Sequence, residues 1–308
     1  MKKISEGKKM FVSVMIIFAI YAIIFILFED YDRAYLVPFD EASDWHLLIF
    51  SMIVMLGLSI LLHQYARKMD DRISQEQAAK EAAMRRELTQ NISHELKTPV
   101  ASILGFTETI LENPNLSESQ KEHFIEKTHS QAERLSHMLQ DLSTLNRMDY
   151  ASGMIQMTKT DVSEIISEIS SDIRLSLDKK HMHFKNYLPS SVFVTGNSGL
   201  LYSLFRNLFD NSINYAGEGS EIELHAQEAD DRWDFTFSDN GTGVGTTHLS
   251  RLFERFYRID RGRMRSVGGT GLGLAIVKNA VQLHGGQIRA EKNGEKGLRF
   301  IFSLKKRL

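Results

Sequence analysis

Apolar residues along the chain follow three patterns, which change near residues 65 and 150. The first part contains two long runs, 10–28 and 45–65, that have no Asp, Glu, Lys or Arg. From 66 to 150, apolar residues recur at helical spacing among polar ones, and beyond 150 helical and alternating patterns are mixed. The chain is therefore predicted to be multidomain, with two transmembrane helices, an α-helical hairpin and a C-terminal α+β domain.

Residues 1–65 are predicted to form a membrane hairpin. Its two spans, of 19 and 21 residues, are long enough to cross a hydrocarbon core of about 30 Å. Lysines precede the first span, basic residues follow the second, and the external loop 29–44 is acidic. The positive-inside rule then places both termini in the cytoplasm. A cleaved signal peptide is the alternative for the first span, but its apolar run is long and lacks a small-x-small cleavage site.

Residues 66–84 are predicted to be a helical linker, because apolar positions are sparse there and the helix continues into the next segment. Residues 85–150 then form two helices that break at Asn113-Pro114-Asn115. The second helix, about 117–148, has a stripe at helical spacing, formed by Phe124, Thr128, Ala132, Leu135, Leu139, Leu142 and Leu145. Hairpins from two subunits would combine into a dimeric four-helix bundle.

Residues 151–308 are predicted to form an α+β sandwich with helices on one face of a mixed sheet. Helices are expected at 161–177 and around Asn207 and Asn211. Strands are expected near 181–187, 192–195, 221–227, 233–238, 287–291 and 298–304.

Composition narrows the chemistry. The 308 residues include no cysteine, which excludes disulfides, thiolate metal sites and cysteine nucleophiles. The formal net charge of −2 gives no indication of direct nucleic-acid binding.

The segment 91–99, NISHELKTP, brings three chemical groups to one histidine. In a helix, His94 points away from Ile92 and Leu96, so its imidazole is expected to face solvent. Glu95 follows directly, and could fix the tautomer by accepting one ring N–H. Thr98 lies one turn further along the same face, and Pro99 is expected to bend the helix. A neutral imidazole is a good nucleophile, although a solvated helix face carrying His and Glu is an equally good interpretation of these nine residues alone.

Two glycine clusters occupy the last third of the chain. The first, 238–244 (SDNGTGV), follows an alternating strand, and the second, 268–274 (GGTGLGL), leads into an apolar helix. Glycines before a helix let backbone N–H groups converge on phosphate oxygens. Upstream, Asn207 and Asn211 share one helix face and could hold a hydrated magnesium ion through amide oxygens.

With these motifs, the chain resembles a bacterial two-component transmembrane sensor histidine kinase with HisKA-like and GHKL-type ATPase modules. The resemblance runs from about residue 85 to the C-terminus, and the histidine, asparagine, Asp-Asn-Gly, phenylalanine and second glycine boxes occur in order. It implies a homodimer in the cytoplasmic membrane, in contact with the lipid bilayer, that uses ATP and Mg²⁺. It also implies phosphoryl transfer from His94 to an aspartate of a separate response regulator. The linker is too short for a HAMP relay.

The resemblance assigns roles residue by residue. It implies His94 as phosphoacceptor, Glu95 as its activating residue and Thr98 as the group that places water for dephosphorylation of the regulator. Asn211 resembles the magnesium ligand and Asp239 the carboxylate that binds the adenine amine. The remaining nucleotide-binding residues that it implies are Asn207, Tyr215, Gly241, Gly243, Arg258, Gly269, Gly271 and Gly273.

Two positions depart from the family pattern. Asn214 stands where many members carry a phosphate-binding lysine, for which Arg258 or one of Arg261, Arg263 and Arg265 could substitute. Gly245 stands where proline is common. Three other functions stay open: a GHKL clamp ATPase, which would lack the His94 box; a nucleotide-binding scaffold without transfer; and a protein that acts mainly as a phosphatase through Thr98.

Overall fold

A computed structural model describes residues 41–150, 152–259 and 269–307, together with six isolated positions before residue 41. The chain divides into two compact units, Met1–Glu87 and Leu88–Leu308. The longest element, α1, runs Glu41–Glu112 as one helix that contains Pro99. It agrees with the prediction of a continuous helix leading into the His94 segment.

In the first unit, α1 carries large apolar side chains on all sides. Ile53, Leu56 and Leu61 are each more than 60 % exposed. Nevertheless, no helix within the described residues combines the length and hydropathy of a membrane span. The predicted second span, 45–65, lies within α1 and is not confirmed as a membrane helix. Apart from the six isolated positions, the first span, 10–28, lies outside the described residues, as does the loop 29–44 up to residue 40.

In the second unit, the end of α1 and helix α2, Glu118–Tyr150, form the hairpin. α1 ends just before the predicted break at Asn113-Pro114-Asn115. α2 begins with a capping box, in which the backbone N–H of Gln120 donates to Ser117 Oγ and the N–H of Ser117 donates to Gln120 Oε1. The rings of Phe106 and Phe124 lie 6.0 Å apart and join the two helices.

The described part of the C-terminal domain contains one 3-10 turn, four α-helices and seven strands. Its elements are a short 3-10 turn at Ser152–Met154, β1 (Thr158–Asp161), α3 (Val162–Lys179), β2 (His183–Tyr187), β3 (Phe193–Gly196), α4 (Ser198–Tyr215), β4 (Glu221–Glu228), β5 (Arg232–Asp239), α5 (Thr246–Leu249), α6 (Gly273–Leu283), β6 (Ile288–Lys292) and β7 (Leu298–Lys305). Asp161 and Asn197 cap α3 and α4 through their side-chain oxygens.

The main sheet has five strands in the order β2-β4-β5-β7-β6. β2 pairs with β4 in parallel and the other neighbours are antiparallel, which confirms the predicted mixed sheet. A second, two-stranded antiparallel sheet joins β1 to β3. β1 was absent from the sequence-based prediction, because its residues TKTD carry no apolar alternation.

The core lies between the helices and the main sheet. Phe205 and Phe209 of α4 make edge contacts with Phe235 and Phe237 of β5, at centroid distances of 5.7 and 5.0 Å. Each of these rings is fully buried. Because side chains alternate along a strand, Asp239 lies on the same face of β5 as Phe235 and Phe237. The carboxylate of Asp239 therefore lies on the face of the sheet that packs against the helices.

Candidate functional site

Asp239, the last residue of β5, is a buried carboxylate at 4 % exposure. Its Oδ2 accepts a hydrogen bond from Ser212 Oγ at 2.9 Å, and its Oδ1 accepts from the N–H groups of Gly241 at 3.1 Å and Leu298 at 3.3 Å. Burial raises the pKa of Asp239, while these three hydrogen bonds oppose the rise. The donors therefore favour the ionised form.

The hydrogen bonds of Asp239 leave room for one more donor. A carboxylate has about four lone-pair positions, two on each oxygen. Oδ1 uses both with backbone N–H groups, whereas Oδ2 accepts only from Ser212 within the described part of the chain. A ligand amine that donates one hydrogen bond would complete the set. The sequence pattern did not reveal Ser212 as a hydrogen-bond partner of Asp239, since it lies in an ordinary apolar helix.

Helix α4 directs two asparagines toward the same region. The Nδ2 of Asn207 donates to the carbonyl of Ser203 at 2.8 Å, which leaves its Oδ1 turned toward Gly273 at the start of α6. Asn211 lies one turn further along and makes no side-chain hydrogen bond within residues 41–150, 152–259 and 269–307. An amide oxygen is an acceptable ligand for Mg²⁺. No cluster of three His, Cys, Asp or Glu in those same ranges could hold a metal by itself.

The glycines of both clusters allow close approaches between backbone segments. Gly243 has φ +67°, and a Cβ there would lie 2.8 Å from the carbonyl oxygen of Gly297. Gly271 has φ +72°, and a Cβ there would lie 2.9 Å from the Cα of Phe256. Both positions need a residue without a side chain. The hydroxyl of Tyr215 occupies the space beside Gly269.

These residues line one cavity of about 1080 Å³. Of the ten predicted nucleotide-binding residues, all but Gly241 contribute to its wall: Asn207, Asn211, Tyr215, Asp239, Gly243, Arg258, Gly269, Gly271 and Gly273. α6 begins at the wall with Gly273, so the positive end of a helix dipole lies there. Gly241 lies behind Asp239 and donates its backbone N–H to that carboxylate.

The departures from the family pattern also lie at this cavity. Asn214 and Gly245 both line it, as does the half-buried Arg258. Gly245 precedes α5 with φ −61°, a value that proline would also adopt. The alternative cations Arg261, Arg263 and Arg265 lie outside the described residues.

His94, Glu95 and Thr98 do not line the cavity. The His94 side chain is exposed, as predicted. The Glu95 carboxylate lies 3.7 Å from the guanidinium of Arg134 on α2, and no hydrogen bond joins it to the His94 ring within the described chain. In place of the expected contact with the ring, the Glu95 carboxylate faces Arg134. Thr98 Oγ1 donates to the His94 carbonyl at 3.3 Å.

Helix α2 has a second face, which packs against the C-terminal domain. Met138, Leu145 and Met148 are buried in the common core. Thr270 Oγ1 donates to Asp141 at 2.9 Å, and Arg255 donates to Asp149 at 2.7 and 2.9 Å. The predicted stripe includes Leu139 but not Met138. Leu139 is 53 % exposed, because the domain contact lies on the neighbouring face.

The fold and the cavity define the class of the protein. Helices on one side of a mixed sheet, with a buried aspartate, two asparagines and two glycine turns around one cavity, make an ATP-binding domain of the GHKL type. Residues 196–308 match the family of histidine kinase-, DNA gyrase B- and HSP90-like ATPases. Residues 84–151 match the His Kinase A (phospho-acceptor) domain.

The two domains together identify the family: the chain belongs to the sensor histidine kinases of two-component systems. A sensor-like histidine kinase SenX3 from Mycolicibacterium smegmatis is 33 % identical over 230 residues, which are 75 % of this chain and 60 % of that protein. The chain thus spans about 60 % of the length of this curated relative.

Two solved structures share the fold. The Acinetobacter baumannii histidine kinase AdeS superposes with a TM-score of 0.57 and 22 % identity, covering 69 % of this chain and 98 % of AdeS. The structure of the histidine kinase ThkA in complex with the response regulator protein TrrA also gives a TM-score of 0.57, with 20 % identity. The match covers 71 % of this chain and 61 % of the chain it matches in that structure.

Proposed function

We propose that this protein autophosphorylates His94 from Mg-ATP and passes the phosphoryl group to an aspartate of a separate response regulator. The observation that carries the proposal is the convergence of nine predicted nucleotide-binding residues on one cavity, in a chain whose phosphoacceptor domain exposes its histidine. The proposed domains are a linker at 66–84, a dimerisation and phosphotransfer domain at 85–150 and a catalytic domain at 151–308.

In this mechanism, the adenine amine donates a hydrogen bond to the free acceptor position of Asp239 Oδ2. The phosphates lie against the cavity wall that Tyr215 and the second glycine cluster form. The lone pair of one His94 ring nitrogen then attacks the γ-phosphorus. An N–P bond forms while the bond to the bridging oxygen breaks, and its electron pair leaves on ADP. The proton on the other ring nitrogen passes to Glu95, which must first leave Arg134.

Magnesium would fit this site only if the protein and the nucleotide both supplied its ligands. Asn211 would supply one oxygen ligand, and the phosphates and water the others, as Mg²⁺ commonly requires. When bound, the ion neutralises charge on the phosphate oxygens. Asn207 would contribute a polar side chain to the same cavity wall, and the carbonyl of Ser203 fixes its amide orientation.

The test uses the full chain in membranes or detergent, incubated with magnesium and γ-labelled ATP. The protein should acquire an acid-labile, alkali-stable label, and His94→Gln should acquire none. α-labelled ATP serves as a control for retained nucleotide and should leave no covalent label. Labelling of His94→Gln at the wild-type rate would overturn the assignment of His94. Nucleotide binding without any label would favour the scaffold alternative.

The proposed partners are a second copy of the chain and a receiver domain. Val100, Leu104 and Leu111 of α1, and Ile125 and Leu139 of α2, are apolar residues that are 42–81 % exposed on the hairpin. A dimeric four-helix bundle would cover such a surface. The ThkA–TrrA complex supports the second partner by likeness of fold. Light scattering on the purified chain should give twice the monomer mass, and Leu104→Asp should lower it.

Dephosphorylation of the regulator is the second activity that we propose. Thr98 is exposed one turn from His94, and its hydroxyl oxygen retains acceptor capacity for a water molecule. Thr98→Ala should therefore slow loss of phosphate from a phosphorylated receiver and leave autophosphorylation within about twofold of wild type. Equal dephosphorylation rates would remove Thr98 from this role.

We also propose that the N-terminal segment inserts into the cytoplasmic membrane as a multi-pass hairpin. The support is the two uncharged runs and the exposed apolar side chains of α1 between Ile49 and Leu61. The chain should resist extraction by alkaline carbonate and be released by detergent. Extraction by carbonate alone would overturn this placement.

A further inference from the structure

Arg134 of α2 is a poorly partnered cation. Its side chain is only 14 % exposed, and its nearest carboxylate, Glu95, lies 3.7 Å away, beyond hydrogen-bond distance. Its Nε is buried without a hydrogen-bond partner in the part of the chain that the structure describes. A guanidinium has five N–H donors, and burying them unmatched costs free energy. Arg134 is thus a largely buried cation with an unpartnered Nε and a carboxylate nearby that it does not hydrogen-bond.

The position of Arg134 joins two parts of the proposed reaction. On one side, the guanidinium faces Glu95, the residue directly after His94. On the other side, Arg134 belongs to the wall of the nucleotide cavity, where Ser130 and His137 lie about one turn away on the same helix. No other described cation contacts the carboxylate beside the phosphoacceptor while also lining that cavity.

We propose that Arg134 binds the phosphoryl group while it passes from ATP to His94. This inference rests on the proposed function. During transfer, negative charge spreads over the equatorial phosphoryl oxygens, and the planar fork of a guanidinium matches two such oxygens. Glu95 leaves Arg134 to accept the ring proton of His94, and the phosphoryl oxygens replace it. Arg134 keeps all its protons throughout and remains paired with an anion at each stage.

The test compares Arg134→Gln, Arg134→Lys and Arg134→Ala in the full chain. At saturating ATP, Arg134→Gln should slow autophosphorylation about 10³-fold, the lower range for arginines that stabilise phosphoryl transfer. Its ATP affinity should stay within about twofold of wild type, because the loss concerns the transition state. Arg134→Lys should retain part of the rate, since it keeps the charge without the fork. Added guanidinium ion should partly restore Arg134→Ala.

Lys127→Gln is the matched control, since it removes an exposed cation from the same helix, outside the cavity wall. It should retain the wild-type rate. Wild-type labelling of Arg134→Gln would overturn the inference and leave the proposed function intact. So would a slow Arg134→Ala that guanidinium fails to restore and that melts well below wild type, because the ion pair with Glu95 would then be only structural. An unlabelled wild-type chain would instead overturn the proposed function, and this inference with it.

Discussion

Two histidines mark the two contrasting regions of the second unit. His94, in the hairpin, is exposed, and its ring makes no hydrogen bond within the described residues. His284, at the end of α6, is fully buried, with Nδ1 2.6 Å from the Ala280 carbonyl and Nε2 accepting the N–H of Asn197 at 3.1 Å. The His94 imidazole is therefore accessible to a substrate, whereas both ring nitrogens of His284 are engaged in hydrogen bonds within the fold.

The same contrast separates the hairpin from the nucleotide cavity as a whole. At His94, whose exposed ring makes no hydrogen bond within the described residues, a substitution is expected to change chemistry more than stability. Around Asp239, each group also holds its neighbours, so that binding and stability are linked. The difference indicates that the transferring residue must stay free to move between partners, whereas the nucleotide cavity must be rigid before the ligand enters.

The largest expected effect on stability and binding comes from adding a side chain at a glycine beside the nucleotide cavity. In Gly241→Ala, the new Cβ would overlap the backbone of Ala216, which cannot move aside as a side chain would. We expect a loss of about 3 kcal/mol in the free energy of unfolding, and loss of nucleotide binding. Gly105→Ala in α1 meets no atom within 4 Å and should raise stability by roughly 0.5–1 kcal/mol. Chemical denaturation and calorimetric titration with an ATP analogue measure both.

A neutral Gly241→Ala would mean that the cavity is deformable. A destabilising Gly105→Ala would mean that the hairpin is packed as tightly as the cavity, and either result would remove the contrast.

The next effect concerns the carboxylate itself. Asp239→Asn keeps the size of the side chain but replaces one acceptor oxygen by a donor, which must face either Ser212 or two backbone N–H groups. We expect ATP affinity to fall at least about 100-fold and stability to fall by about 1–3 kcal/mol. Asp234→Asn, on the same strand but paired with exposed Arg232, is the control and should change stability by less than about 1 kcal/mol. Undiminished ATP binding by Asp239→Asn would contradict the proposed amine contact.

Much of the fold was predictable because its patterns are local. The break at Asn113-Pro114-Asn115, the helices α3 and α4, and the strands of the main sheet follow from spacing and turn residues. The convergence of the two glycine clusters with Asn207 and Asp239 followed from resemblance to a family, since no local rule brings residues as far apart as Asn207 and Gly273 into one cavity. The roles of those residues, and of His94, Glu95 and Thr98, stay predictions.

The rest depended on tertiary contacts that leave no local signal. A periodic stripe identifies one buried face of α2, but it does not show that a second face is covered by another domain, as Met138 is. The partner of Glu95 was likewise missed. Sequence adjacency suggested His94, whereas the carboxylate faces Arg134 on the other helix of the hairpin.

A smaller effect would sharpen the description of the contact between the regions. Asp149 pairs with Arg255 and also accepts from Asn279 at 3.3 Å. Asp149→Ala and Arg255→Ala should each lower the melting temperature by about 2–4 °C. The double variant should lose less stability than the sum of the two single losses, which corresponds to an interaction free energy of about 1 kcal/mol between the two side chains. Arg289→Ala, in an exposed pair with Glu291, is the control. Strict additivity would mean that this ion pair contributes nothing to docking of α2.

The smallest expected effect is the pH dependence of stability that the buried His284 contributes. Burial lowers the pKa of His284, against a smaller opposing effect of the Ala280 hydrogen bond. The folded state therefore favours the neutral ring, whose Nε2 must accept from Asn197. Protons bind the unfolded chain more readily, so the contribution of His284 is fully present above about pH 6.5 and is lost as the pH falls below that value.

The melting temperature of the wild type should consequently fall more steeply between pH 7.5 and 5.5 than that of His284→Gln. Comparing the two chains is necessary because burial raises the pKa of Asp141, Asp210 and Asp239, which makes the folded state gain protons in acid and acts in the opposite direction. That contribution is common to both chains and cancels in the difference. His94→Gln is the matched control, since it removes an exposed imidazole. Parallel curves for wild type and His284→Gln would show that the buried ring tolerates its proton, and burial and hydrogen bonding of His284 would then have no effect on the pH dependence of stability.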